Sequence, residues 1–269
     1  MEISLILGVL VGAVLGLTGA GGGILAVPAL IAGMGWTMQQ AAPVALIAVA
    51  GSAAIGALEG LKKGLVRYKA AGVMVLAGLP FTSVGVRVAE RLPQALLLGL
   101  FAVVLLIVAG RLLRQASRAD SERCDPAEDK AWAHIDASSG RFRWSLSIAF
   151  LFAGIGAVTG LMTGLLGVGG GFVIVPALRR FTDMTMHGII ATSLMVIALV
   201  GTGGVIVAVA HGTNLPLQAT LLFGLATGIG MLLGRKLASR LVERHIQIGF
   251  AMVLIAVALG LSLKALLSL

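Results

Sequence analysis

The chain has 269 residues, of which 58% are hydrophobic and 12% charged, with a mean hydropathy of +1.05; soluble domains run at about 45–50% apolar and about 25% charged. This composition excludes an ordinary water-soluble globule and makes hydrocarbon the solvent for nearly the whole chain. The net charge of +9 does not point to nucleic acid, because the basic residues fall in the short gaps between apolar runs, as topology signals do, and no basic face with interleaved aromatics is present.

Apolar segments run in chain order over 3–35, 40–60, 68–86, 94–112, 144–178, 188–210, 215–234 and 246–267. The first opens with Met1-Glu2 rather than a basic stretch and belongs to a repeat, so it is expected to be retained rather than cleaved as a signal peptide. Between the fourth and fifth segments, Arg111 to Arg143 is charged and of low hydrophobicity, which predicts an extramembrane linker. The division is therefore a first membrane repeat over 1–112, a hydrophilic linker over 113–143 and a second repeat over 144–269. Cys124, the single cysteine, excludes a disulfide framework and a thiolate metal cage. It and His134 read as linker residues, and no metal or cofactor is expected.

The two groups of four segments are copies. "GLTGAGGGILAVPAL" at 16–30 returns as "GLLGVGGGFVIVPAL" at 164–178, identical at ten of fifteen positions with an offset of 148. The register continues through Thr37-Met38 on Thr185-Met186 and Gly64 on Gly212, and after one inserted residue through Gly85 on Gly234, Arg91 on Arg240 and Phe101 on Phe250.

Segments 1 and 5 are too long for one plain span. As single helices of about 33 residues they would reach roughly 50 Å, against a hydrocarbon core of about 30 Å, so each is expected to break at its glycines into a broken helix or re-entrant hairpin. Charge supports the break. Simple spans would divide the loop arginines and lysines 11 to 8, whereas segments 1 and 5 that return to their starting side, or cross twice, divide them 17 to 2 and leave only Arg87 and Arg91 on the poorer side. The positive-inside rule makes the richer side cytoplasmic. An odd number of crossings per repeat also inverts the second copy. The expected fold is an all-α polytopic membrane protein of two inverted repeats of four apolar segments each, with eight to ten crossings.

Isolated glycines such as Gly12, Gly16 and Gly19 suit close helix packing. The runs Gly21-Gly22-Gly23 and Gly169-Gly170-Gly171 do not, because three adjacent glycines cover every face of a helix and cost about 1 kcal/mol each in helix propensity. A dinucleotide loop fails where Ile24 and Phe172 replace the last glycine and no strand precedes. The remaining reading is a substrate site: a helix that stops and restarts inside the bilayer presents free backbone N–H groups and a positive dipole end. Pro28 and Pro176 suit the first turn of a restarted helix. Paired breaks in two inverted halves point to a transporter's binding site. The candidate contacts are Gly19, Gly21, Gly22, Gly23 and Ile24, their counterparts Gly167, Gly169, Gly170, Gly171 and Phe172, and the hydroxyls of Thr18, Thr163, Thr192 and Ser193. The ligand would be a small anion held by donors without a lysine or arginine.

The doubled Gly-x-Gly-Gly-Gly-x-x-x-Val-Pro pattern, Gly19 to Pro28 and Gly167 to Pro176, with "ATSL" at Ala191 to Leu194, resembles the sulfite exporter TauE/SafE family of membrane permeases over essentially the full length. The resemblance implies transport of sulfur anions such as sulfite, thiosulfate, sulfonates or sulfoacetate across the inner membrane. The first half departs from it, with "PVAL" at Pro43 to Leu46 where the second has "ATSL". A permease for carboxylates or other small anions and a non-transporting structural or regulatory membrane partner remain as alternatives. An intramembrane enzyme is not expected, since His187, His211 and His245 all fall at segment ends or in loops and no serine has a nucleophile-elbow setting. His187, just after Asp183, reads as a solvated loop histidine, and Glu59 and His211 as interfacial anchors. Without a Walker motif, ATP drive would need a partner chain. The expected partners are a small anion and the lipid bilayer, with a homodimer left open.

Overall fold

The computed structural model describes residues 2–19, 22–118, 146–211, 216–238 and 243–267. These form α1 (Glu2–Thr18), a 3-10 turn at Gly22–Leu25, α2 (Ala26–Met34), α3 (Met38–Lys62), α4 (Tyr68–Arg91), α5 (Gln94–Arg118), α6 (Leu146–Leu166), α7 (Gly171–Phe181), α8 (Met186–Ala210), α9 (Leu217–Ala238) and α10 (Glu243–Leu267). Seven of them, α3 to α6 and α8 to α10, are long and apolar enough to cross a membrane. The chain is thus an all-α, multi-pass membrane protein. Most of the expected linker, with Cys124 and His134, lies outside the described residues.

The two longest apolar segments both break at their glycines. A side chain on Gly22 would strike the Leu15 backbone, and one on Gly170 would strike Thr159, so each restarted arm folds back along the arm before it. Gly19 and Gly167, at aligned positions, turn the chain with φ of +82° and +70°, a region that side chains other than glycine's rarely enter. At 9 and 11 residues, α2 and α7 reach only about 14 and 16 Å. They are half-helices, and a second full crossing by either is excluded on length.

The helices that follow start at matched caps. Thr37 accepts from the Gln40 N–H while its own N–H donates to Gln40 Oε1, opening α3 with a capping box; Thr185 accepts from the Gly188 N–H to open α8.

Packing exchanges partners between the repeats. α1 lies along α9, α6 along α4, α3 along α8 and α5 along α10. Glycine stripes make the first two pairings possible: a methyl on Gly12 would strike Thr227 O, and on Gly234 Ala13 O; on Gly160 it would strike Gly78 O, and on Gly156 Met74 O. Residues 8, 12 and 16 of α1 meet successively later residues of α9, so this pair is parallel, and α6 runs parallel to α4 by the same evidence. In contrast α3 and α8 are antiparallel, with Gly60 against Ala191, Gly56 against Leu194 and Ala50 against Gly201. Apolar side chains such as Leu76, Phe150 and Leu225 point outward, exposed by about two-thirds or more, as a lipid-facing belt requires.

Candidate functional site

The glycine motifs meet in the interior, each seated against the other repeat. Gly19 abuts Ile190 of α8, and Gly167 abuts Ala42 of α3; these partners are themselves aligned across the duplication, at an offset of 148. A methyl on Gly23 would lie 2.9 Å from Val49 Cγ1 and 3.4 Å from Val168 O, and one on Gly169 would lie 3.2 Å from Val49 Cγ1 and 2.9 Å from Ile197 Cγ2. Val49 of α3 is therefore common to both motifs. α2 leads on to the start of α3 and α7 to the start of α8; since α3 and α8 are antiparallel, the two half-helices diverge from this centre in opposite directions. Their N-terminal, electropositive ends converge there.

Most of the expected contacts are brought together at this centre. Gly19, Gly22, Gly23, Gly167, Gly169, Gly170 and Gly171 are all buried, as are Ile24 and Phe172. Gly21 lies outside the described residues. Gly170, with φ of +65°, is the N-cap of α7, and the ladder begins with Val173 and Ile174 donating to Gly170 O. The N–H groups of Gly171 and Phe172 precede any acceptor of their own helix. Pro28 sits in the first turn of α2. Pro176 does not hold the first turn of α7 but is its sixth residue, where the missing N–H leaves Phe172 C=O without its helical donor.

The hydroxyls are dispersed. Thr18 donates to Val14 O at 2.8 Å and lines an apolar groove with Ile246 and Phe250 of α10. Thr163, whose Oγ1 is next to Gly170, donates to Thr159 O at 2.8 Å. Ser193 donates to Ile190 O at 2.9 Å, on the α8 face that runs from Ile190 to Ile197 between the two motifs. Thr192 points elsewhere: its Oγ1 accepts the Arg67 N–H at 3.1 Å and so ties α8 to the chain entering α4.

That tie belongs to a basic end of the molecule. Glu59, near the end of α3, accepts from Lys63 Nζ at 2.6 Å and from Arg235 Nη1 of α9 at 2.5 Å. Lys62, Lys63, Arg67 and Arg235 are thereby gathered on one side. Glu59 is paired across the repeats, a role its position at a segment end did not reveal. Sequence reasoning also gave no sign that the buried hydroxyls of Ser52 and Thr159 have no partner.

Comparison with known proteins covers nearly the whole chain. The sulfite exporter TauE/SafE family model matches residues 4–261. A "Probable membrane transporter protein" of Xylella fastidiosa (strain Temecula1 / ATCC 700964) is 30% identical over 259 residues, 94% of this chain and 91% of the relative. The "Probable membrane transporter protein YjnA" of Bacillus subtilis (strain 168) is 26% identical over 276 residues, 98% of this chain and 100% of the relative. No solved structure matches.

Proposed function

The chain belongs to the sulfite exporter TauE/SafE family, a family of membrane transporters and not of enzymes, and from that premise we propose that it is a secondary transporter for a small anion, a sulfur oxyanion or sulfonate such as sulfite, thiosulfate or sulfoacetate. The observation that carries the reading is the convergence of the α2 and α7 N-termini on one buried centre against Val49. Two positive dipole ends and unclaimed backbone N–H groups attract an anion, and no lysine or arginine competes with release.

The two copies are inverted in the bilayer, a reading supported by the antiparallel contact of α3 with its counterpart α8. Each glycine hairpin enters and leaves on one side, so α1 and α2 face the outside and α6 and α7 the cytoplasm. The basic end at Lys62, Lys63, Arg67 and Arg235 faces the cytoplasm on the positive-inside rule, and an inner-membrane location belongs to the same reading. Alternating access follows as rocking of one repeat's elements against the other's about the central site. The test is uptake of radiolabelled thiosulfate and sulfite into proteoliposomes, with acetate and sulfoacetate as competitors. Saturable uptake inhibited by sulfoacetate is expected. Inhibition by acetate alone would move the substrate class to carboxylates, and uptake equal to that of empty liposomes would reject transport of these anions.

A further inference from the structure

Hydroxyls inside membrane helices ordinarily donate back to their own helix, as nine do here: Thr18, Thr82, Ser83, Thr163, Ser193, Thr202, Thr220, Thr227 and Ser262 all bond a carbonyl three or four residues earlier, while buried Thr192 accepts the Arg67 N–H. Among the described residues, two buried hydroxyls, Ser52 Oγ and Thr159 Oγ1, have no partner. Ser52 is 2% and Thr159 0% exposed. An unpaired buried hydroxyl costs about 1–3 kcal/mol, so two buried hydroxyls left without any partner call for a cause.

Both belong to helices that pack against the glycine motifs. Thr159 of α6 lies directly against Gly170, the N-cap of α7, its methyl Cγ2 and its carbonyl oxygen being the nearest atoms and its hydroxyl on the same Cβ as that methyl. Ser52 is one turn beyond Val49 on the same face of α3, and Val49 is the side chain shared by both motifs. The duplication does not explain them, because the aligned positions hold Val200 and Val11. One hydroxyl comes from each repeat, at unrelated positions of the copied unit.

We infer that Ser52 and Thr159 are substrate-binding residues, whose hydroxyls donate to two oxygens of an oxyanion seated at the N-terminus of α7 beside the N–H groups of Gly171 and Phe172. This rests on the transport reading above and sharpens it. The site is neutral and asymmetric, with the α7 end carrying hydroxyls Thr159 and Thr163 where the α2 end has Val11 and Leu15. It selects for an anion with at least two acceptor oxygens.

The test measures thiosulfate and sulfite binding to the purified full-length protein, together with its melting temperature, for the wild type, Ser52→Ala, Thr159→Val and Thr159→Ser. Loss of either hydroxyl is expected to weaken binding about tenfold to a hundredfold with the melting temperature unchanged or raised, since each substitution removes a buried group that bonds nothing in the protein. Thr159→Ser keeps the donor and is expected to keep the affinity. Wild-type affinity in Ser52→Ala and Thr159→Val would overturn the inference while leaving transport intact. A melting temperature that falls along with affinity, without recovery in Thr159→Ser, would assign the residues to packing and overturn it too. A wild-type protein that binds neither ion would overturn the transport reading and this inference with it.

Discussion

Gly160 has no room for a side chain, because a methyl there would enter the Gly78 carbonyl of α4, while Gly154, two turns earlier on the same helix, has nothing within 4 Å. The two therefore separate packing from propensity. Gly160→Ala is expected to destabilise the protein by about 1–3 kcal/mol or more, as overpacking does, whereas Gly154→Ala is expected to leave the melting temperature in detergent unchanged or to raise it, since alanine is favoured over glycine by about 1 kcal/mol in a helix interior. A lower melting temperature in Gly154→Ala than in Gly160→Ala would contradict the parallel contact of α6 with α4. At this scale the sequence discloses the glycines readily but not Ser52 or Thr159, because a hydroxyl that back-bonds and one that does not are spelled the same. Only the helix around it decides.

Between elements, the contact most open to test is the Glu59–Arg235 pair joining α3 to α9. Its carboxylate is about half exposed, at 47%, and Arg235 is 28% exposed, so a double-mutant cycle of Glu59→Gln and Arg235→Gln is expected to yield a coupling of about 0.2–1 kcal/mol that shrinks with added salt. A coupling indifferent to salt would argue against an ion pair. The glycine hairpins carry a second prediction: with Cys124 replaced by serine, cysteines at Glu2 and Gly35, the two ends of the α1–α2 hairpin, are expected to react with an impermeant thiol reagent from the same side of the membrane. Labelling from opposite sides would contradict a hairpin that returns to its starting face. The breaks were legible because the segments were too long and the glycines too concentrated for one helix. Helix ends were less so: α5 continues to Arg118, beyond the apolar run ending near 112, because backbone hydrogen bonding does not stop where hydrophobicity does. Pro176 misled for a related reason, since the restart of α7 is set by Gly170 and not by the proline.

For the whole molecule, the duplication was plain in the sequence while its consequence was not. Small-residue stripes on α1 and α6 announce close neighbours without saying which, and those neighbours prove to be α9 and α4 of the opposite copy. Neither half can complete its own packing. Residues 1–118 or 146–269 expressed alone are expected to give no monodisperse species in detergent, and their co-expression to restore one with the wild-type elution volume; a stable, well-behaved isolated half would refute the interlocked arrangement. The exchange also has a consequence in time. Gly12 and its contact Thr227 are separated by more than two hundred residues of synthesis, which at about 5–20 residues per second amounts to about ten to forty seconds. Throughout that wait the glycine face of α1 must be sheltered by lipid or by the insertion machinery. α1 is made long before its packing can be completed.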